Sequence, residues 1–126
     1  MENLKVTAPN FTEEEIKSRV AQLGCSDTIN KLEDGYDTVI SENSDNLSGG
    51  QRQIIGILQG LMQVTPIVMI DEPFNMIDTQ KTRALFNSIL DACKGSTLII
   101  VTHDIEHAKM LDRVIKLCWA PFVFQM

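Results

Sequence analysis

The sequence lacks the marks of a membrane-spanning, secreted or nucleic-acid-binding protein. No apolar run in the chain reaches the roughly 18 residues of a membrane span, and no charged and then apolar leader opens it. The formal net charge of the 126 residues is −6, whereas a nucleic-acid-binding surface needs a basic face. We therefore expect a soluble, non-secreted chain that does not bind nucleic acid.

Paired cysteines are also missing. Cys25, Cys93 and Cys118 are far apart and form no Cys-x-x-Cys motif. This pattern argues against a disulfide framework or a thiolate metal site, and it predicts buried or idle cytosolic thiols. His103 and His107 lie four residues apart, but no third ligand is spaced to join them in a metal site.

Hydrophobic periodicity divides the chain into a helical first part and a second part with strands. Helical spacing and N-cap residues predict helices over residues 13–23, 28–32, 49–63, 79–94 and 104–111. Short apolar runs predict strands over residues 67–70, 97–101 and 114–117, the first of them buried on both faces. The alternation predicts a parallel α/β layer in residues 66–126, after a helical subdomain in residues 1–65.

A hydroxyl and two glycines open the helix that begins near residue 49. Ser48 is the predicted N-cap, and Gly49, Gly50 and Gln51 follow it. A helix start favours an anion, glycines allow a ligand to approach closely, and the serine adds a donor. The acidic net charge does not exclude such a site, because it needs only local donors and a cation. For a bare Ser-Gly-Gly, a plain N-cap is the structural alternative.

Two adjacent carboxylates, Asp71 and Glu72, follow the strand predicted at residues 67–70. Ligands of open parallel sheets bind beyond the carboxyl ends of the strands. There one carboxylate can hold Mg²⁺ while the next orients and deprotonates a water. His103 ends the next strand, so we expect it at the same sheet edge, where an imidazole can donate to a phosphate. Solvated surface acids and a histidine at a plain helix start are the alternatives.

The run LSGGQRQ at residues 47–53 resembles the signature motif of the ATPase domain of ABC transporters. Asp71-Glu72 after its apolar run is similar to the end of a Walker B strand, Asp78 to the D-loop aspartate, and His103 to the switch histidine. Their order and spacing also match, over about residues 2–118. The resemblance implies an α/β fold, a partial P-loop NTPase-like parallel sheet with flanking helices, preceded by a signature-bearing helical subdomain.

The resemblance also implies a role for each of these residues. ATP would be bound by the signature contacts and the D-loop aspartate, namely Ser48, Gly49, Gly50, Gln51 and Asp78. Asp71 would serve Mg²⁺, Glu72 would be the catalytic base, and His103 would sense the γ-phosphate. In this family the signature loop completes an ATP site whose phosphate loop belongs to the opposite subunit. The implied partner is a second ATPase subunit in a head-to-tail dimer.

The segment before the signature looks like that of exporters. The run GYDTVI at residues 35–40 and then Glu42 are similar to a loop that touches the cytoplasmic helices of the membrane domain. Glu42 would be the contact residue. The resemblance thus implies a chain on the cytoplasmic side of the membrane, attached through the transporter, whose ATP hydrolysis powers export.

Some family features are missing. No GxxxxGK[ST] phosphate loop occurs, residues 75–77 read Asn-Met-Ile where Ser-Ala-Leu is common, and Gly56 and Gly60 interrupt the helix after the signature. Residues 119–126 do not resemble the family, and we interpret them as a foreign or truncated end or as a partner-binding patch. The chain would be a fragment, or a split or degenerate copy, that is inactive alone.

Two other functions stay open. A non-catalytic module could complete or block the ATP site of another subunit, which the missing phosphate loop favours and the presence of Glu72 and His103 disfavours. A chromosome-maintenance ATPase also carries the LSGG motif. It is disfavoured by the acidic charge, the absence of heptads and the exporter-like segment.

Overall fold

The computed structural model describes residues 2–40, 45–63 and 65–117. Glu42, Cys118 and residues 119–126 lie outside these ranges, so the predictions that concern them stay predictions. The first part is helical, with a 3₁₀ turn at Gly35–Asp37 and the helices α1 (Glu2–Lys5), α2 (Glu13–Gln22), α3 (Ser26–Asn30) and α4 (Gly49–Met62). None of the described helices is both long and apolar enough to cross a membrane.

A capping box sets the start of α2. The Glu15 backbone N–H donates to the Thr12 hydroxyl at 3.2 Å, and the Thr12 backbone N–H donates to the Glu15 carboxylate at 2.7 Å. The backbone hydrogen bond from Thr12, and then that from its side chain, hold the pKa of Glu15 below its usual value. Gly24, with a φ of +67°, follows the helix. These signals were readable in the sequence, and the predicted helix is confirmed to within one residue.

Two parallel strands with a crossover helix form the second part. Strand β1 (Ile67–Asp71), helix α5 (Thr79–Ala92), strand β2 (Thr97–Val101) and helix α6 (Ile105–Ala108) follow in that order. Ile67 lies opposite Thr97, and Asp71 lies opposite Val101. Parallel strands require a crossover of this kind, so the βαβ unit confirms the predicted α/β class.

One hydrophobic core joins the two parts. Its most buried side chains come from the helices α2, α4 and α5 and from Leu23, which follows α2. They are Ile16, Val20, Leu23, Leu58, Met62, Phe86 and Ile89. Cys25 and Cys93 are buried free thiols, as predicted, and burial raises the pKa of Cys25 to about 11. Buried side chains on both sides of residue 65 belong to the same core. The predicted subdomain boundary at that residue stays a prediction.

The prediction that residues 67–70 are buried on both faces is wrong. Burial alternates along β1 and β2, and the exposed apolar side chains of one face range from 41% for Ile99 to 69% for Met69. Val68, Ile70 and Leu98 on the other face pack against the core. Within the described residues, the helices therefore cover one face of the sheet. A short apolar run does not reveal whether one face or two are covered.

The chain after β2 also differs from the prediction. Residues 114–117 were predicted as a third strand, but they have no regular secondary structure and pair with neither β1 nor β2. A strand without a pairing partner is not stable. Helix α6 ends at Ala108 instead of residue 111. The next amides bond to carbonyls only three residues back, Met110 N–H to His107 O and Leu111 N–H to Ala108 O, which is the 3₁₀ pattern.

Candidate active site

Three of the predicted site residues lie at the carboxyl ends of the strands. Asp71 is the last residue of β1, Glu72 follows it, and His103 lies two residues beyond β2. The Glu72 backbone N–H donates to the Val101 carbonyl at 2.9 Å. Nδ1 of His103 lies 2.9 Å from Oε1 of Glu72. The fold thus brings the carboxylate and the imidazole into contact at one edge of the sheet.

The backbone turns sharply at Glu72. Its φ is +44°, in the left-handed region that residues with a Cβ rarely adopt. Such a conformation costs on the order of 1–3 kcal/mol and persists where the surrounding structure holds it. Asp71, in contrast, keeps the geometry of the strand and is exposed. The two adjacent carboxylates therefore leave the sheet from different backbone conformations, which suits two different tasks.

The contact with Glu72 changes the protonation of His103. The side-chain hydrogen bond to Glu72 and then the negative charge of Glu72 raise the pKa of His103 above its ordinary value, and Asp104 adds a smaller effect. The imidazole is 77% exposed, whereas the Glu72 side chain is 31% exposed. A protonated imidazole has two N–H donors, so one can serve Glu72 and the other can serve an anion from solvent.

The start of α4 has the geometry predicted from the Ser-Gly-Gly sequence. Ser48 is the N-cap, and its hydroxyl accepts from the Gln51 N–H at 3.2 Å while its own N–H donates to the Gln51 side chain at 2.8 Å. A serine hydroxyl that accepts can still donate. The first turn therefore offers that hydroxyl, and the backbone N–H groups of Gly49 and Gly50, to a negatively charged ligand.

A groove of about 230 Å³ lies beside this helix start. It is lined by Ser48, Gly50 and Gln51, by the loop before α5 with Asp78, and by two lysines, Lys31 and Lys81. The lysines were not predicted as site residues, and no linear signal marks them, because only the fold places α3 and α5 beside α4. They supply the local positive charge that an acidic chain needs in order to hold an anion.

Asp78 lies in this groove with its carboxylate already engaged. Its Oδ1 accepts from the Gln80 N–H at 3.1 Å and caps α5, as the sequence predicts. Its predicted contact with ATP stays a prediction.

The groove and the strand ends are two separate groups of residues. Asp71, Glu72 and His103 do not line the groove. Gln53 connects them, because its side chain bonds to the Glu72 carbonyl and to the Met76 N–H. Gln53 stands inside the LSGGQRQ run, yet no local sequence signal marks this role, because its partners are 19 and 23 residues away.

The ring of His107 packs against two phenylalanine rings. Its ring centroid lies 4.8 Å from that of Phe74 and 5.0 Å from that of Phe86, and the two phenylalanine centroids are 5.6 Å apart. Nδ1 lies 2.9 Å from Oδ2 of Asp104, which also caps α6. Within the described ranges, no group of three or more His, Cys, Asp or Glu residues could hold a metal ion by itself. Any cation at Asp71 would thus need further oxygen ligands from water or from a substrate.

Comparison with known proteins defines the class to which this fold and site belong. The protein-family model described as ABC transporter matches residues 2–75. The solved structure of a bacterial Atm1-family ABC exporter with ATP bound is similar over 82% of this chain and 18% of its own, with a TM-score of 0.73 and 25% sequence identity. The chain therefore belongs to the ABC transporter family and corresponds to part of its ATP-binding domain.

Individual relatives are of the exporter type. The ATP-dependent lipid A-core flippase of Aliivibrio fischeri is 35% identical over 105 residues, which are 83% of this chain and 18% of the flippase. The alpha-hemolysin translocation ATP-binding protein HlyB of Escherichia coli is 31% identical over 115 residues, which are 91% of this chain and 16% of that protein. The chain spans less than a fifth of the length of these relatives.

Proposed function

We propose that this chain provides the signature loop, the Walker B carboxylates and the switch histidine of an ATPase that powers export across a membrane. The observation that carries the proposal is the 2.9 Å contact between His103 Nδ1 and Glu72 Oε1 at the ends of two parallel strands. A solvent-exposed surface carboxylate does not require a left-handed backbone or an imidazole partner. A group that must orient and deprotonate a water has a use for both.

The start of α4 would bind the triphosphate of ATP. Ser48 would donate through its hydroxyl, Gly49 and Gly50 through their backbone N–H groups, and Gln51 would hold the serine in place through the capping box. The groove beside them contains Lys31 and Lys81, whose charges oppose those of the phosphates.

The strand ends would carry out the hydrolysis. Glu72 accepts the proton of the attacking water, and His103, held by Glu72, donates to the phosphate being transferred. The exposed carboxylate of Asp71 is the hard oxygen ligand that Mg²⁺ prefers, and the ion would neutralise phosphate charge there. The different backbone conformations of Asp71 and Glu72 allow these two tasks to be separate.

The separation of the groove from the strand ends favours a site shared between two chains. In a head-to-tail dimer, the α4 start of one ATPase subunit meets the strand ends of the other, so each subunit contributes to both sites. The other partner would be the transmembrane domain of the transporter, contacted near Glu42 on the cytoplasmic side. The phosphate loop would come from the longer protein.

Substituting the two carboxylates one at a time tests this proposal in the longer protein that contains a phosphate loop. Glu72→Gln should abolish ATP hydrolysis and preserve ATP binding, because an amide can hold a water but cannot accept its proton. Trapped ATP should then keep the dimer closed. Asp71→Asn should weaken Mg²⁺ binding, and so reduce both nucleotide affinity and turnover.

The measurements are the ATPase rate and ATP-dependent dimerisation by size-exclusion chromatography. Asp91→Asn is a matched control, because Asp91 is an exposed acid of α5 that pairs with Lys94. It should behave like the unaltered protein. The same near-normal behaviour in Glu72→Gln and Asp71→Asn would reject the assignment and leave the non-catalytic module as the better function.

A further inference from the structure

Gln53 joins helix α4 to the backbone at both ends of the segment from Glu72 to Met76. Its Nε2 donates to the Glu72 carbonyl at 2.6 Å, and its Oε1 accepts from the Met76 N–H at 2.9 Å. A primary amide that uses its donor and its acceptor on two points of one segment fixes both the distance and the orientation of that segment.

The turn at Glu72 needs to be held in this way. A φ of +44° is unfavourable for a residue with a Cβ, so the surroundings must maintain it. The Glu72 N–H is bonded to the Val101 carbonyl, and the Glu72 carbonyl is bonded to Gln53. The next residue, Pro73, is fully buried and has no N–H to contribute. Gln53 therefore holds one of the two backbone groups that determine where the Glu72 carboxylate points.

Met76 is also fixed from a second direction. A Cβ placed on Gly50 would lie 2.7 Å from the Met76 carbonyl oxygen, so the first turn of α4 packs directly on this backbone. The N–H of Met76 is bonded to Gln53, and its carbonyl touches Gly50. A displacement of the start of α4 must consequently move Met76 and Glu72 with it.

We propose that Gln53 is a positioning residue that couples the position of the α4 start to the position of the Glu72 carboxylate. This inference rests on the proposed function, in which the start of α4 contacts ATP in one shared site and Glu72 acts in the other. Anion binding at Ser48 and Gly50 then fixes the position of the catalytic base, Glu72, in the second site of the dimer. Gln53 acts through the backbone groups of Glu72 and Met76 to which it bonds.

Nuclear magnetic resonance on the chain, at concentrations below those at which we expect it to self-associate, tests the positioning. Gln53→Met keeps the length of the side chain and removes both hydrogen bonds, so the Met76 amide should exchange with solvent about fivefold faster or more. The imidazole signals of His103, at one fixed pH, should move toward those of Glu72→Ala. Gln59→Met is the matched control, because Gln59 lies in the same helix and bonds through Nε2 to a distant backbone carbonyl, that of Asn3.

Gln53→Glu separates the two bonds. It keeps the acceptor for the Met76 N–H and removes the donor to the Glu72 carbonyl. Met76 should thus stay protected while the His103 signals still move. If Gln53→Met leaves both readouts unchanged, or if Gln59→Met changes them equally, the positioning role is wrong.

Kinetics in the longer protein separate this proposal from the proposed function. Gln53→Met should lower kcat for ATP hydrolysis about tenfold or more, because a misplaced base is inefficient, and should leave KM for ATP unchanged. A normal kcat in Gln53→Met, with activity lost in Glu72→Gln, rejects the positioning role and keeps the proposed function. Activity retained in Glu72→Gln rejects the proposed function, and the Met76 and His103 signals then still decide the role of Gln53.

Discussion

At the scale of single residues, the pair of Glu72 and His103 shows how backbone geometry creates chemistry. The left-handed turn carries the carboxylate away from the line of β1, and the parallel register places the residue after β2 beside it. The result is a histidine whose protonated form is favoured by a neighbouring carboxylate. Such a histidine can report whether a phosphate is present, because its charge depends on its contacts near neutral pH.

The pKa of His103 should therefore depend on Glu72. Because the folded-state pKa is raised above the ordinary value of 6.5, the stabilisation by this contact is fully present below pH 6.5 and is lost as the pH rises through the folded value. In Glu72→Gln the pKa of His103 should fall toward its ordinary value. Imidazole titration by nuclear magnetic resonance measures this shift. Asp71→Asn should leave the pKa unchanged, and an unshifted His103 in Glu72→Gln would contradict the contact.

At the scale of elements, the sequence predicts what local signals determine. The N-caps Thr12, Ser48 and Asp78 begin helices as predicted, and the apolar stripe of α4 is buried as predicted. The loss of the third strand could not be predicted, because it depends on which other elements pair with residues 114–117. Gln53 was missed for the same reason, since its partners meet it only in the folded chain.

Two glycines of helix α4 should respond in opposite ways to substitution by alanine. A Cβ on Gly50 would meet the Met76 carbonyl at 2.7 Å, whereas a Cβ on Gly56 would meet nothing within 4 Å. Gly50→Ala should destabilise the chain by about 1–3 kcal/mol through overpacking. Gly56→Ala, its matched control, should stabilise the chain by about 0.5–1 kcal/mol, because alanine is the better helix former. Urea unfolding measures both, and equal stability of the two variants would be inconsistent with the packing at Met76.

At the scale of the whole molecule, the sheet presents an apolar face to solvent. Ile67 and Met69 of β1 are 60% and 69% exposed, and Ile99 and Val101 of β2 lie beside them. The part of the chain that the structure describes has two strands in this sheet, and exposed apolar side chains on such a sheet favour association. We expect the chain to self-associate at high micromolar concentration, as measured by light scattering. Met69→Lys should reduce association, whereas Val39→Lys, at an exposed apolar residue away from the sheet, should not. A monodisperse monomer would count against this prediction.

The affinity of the chain for ATP follows from how its binding groups are distributed over the molecule. In the proposed function the groove at Ser48 and Gly50 would provide one side of a shared site, and the 126 residues contain no GxxxxGK[ST] loop to hold the β- and γ-phosphates from the other side. Calorimetric titration of the chain alone should therefore show no complex of micromolar or tighter affinity. Any weak binding should decrease with salt, and it should decrease in Lys31→Gln and Lys81→Gln, because the charges of these lysines face the groove. Lys109→Gln is the control, because Lys109 pairs with Glu106 and does not line the groove. A micromolar complex would mean that the chain holds a complete nucleotide site by itself, and the shared-site account would then have to be abandoned.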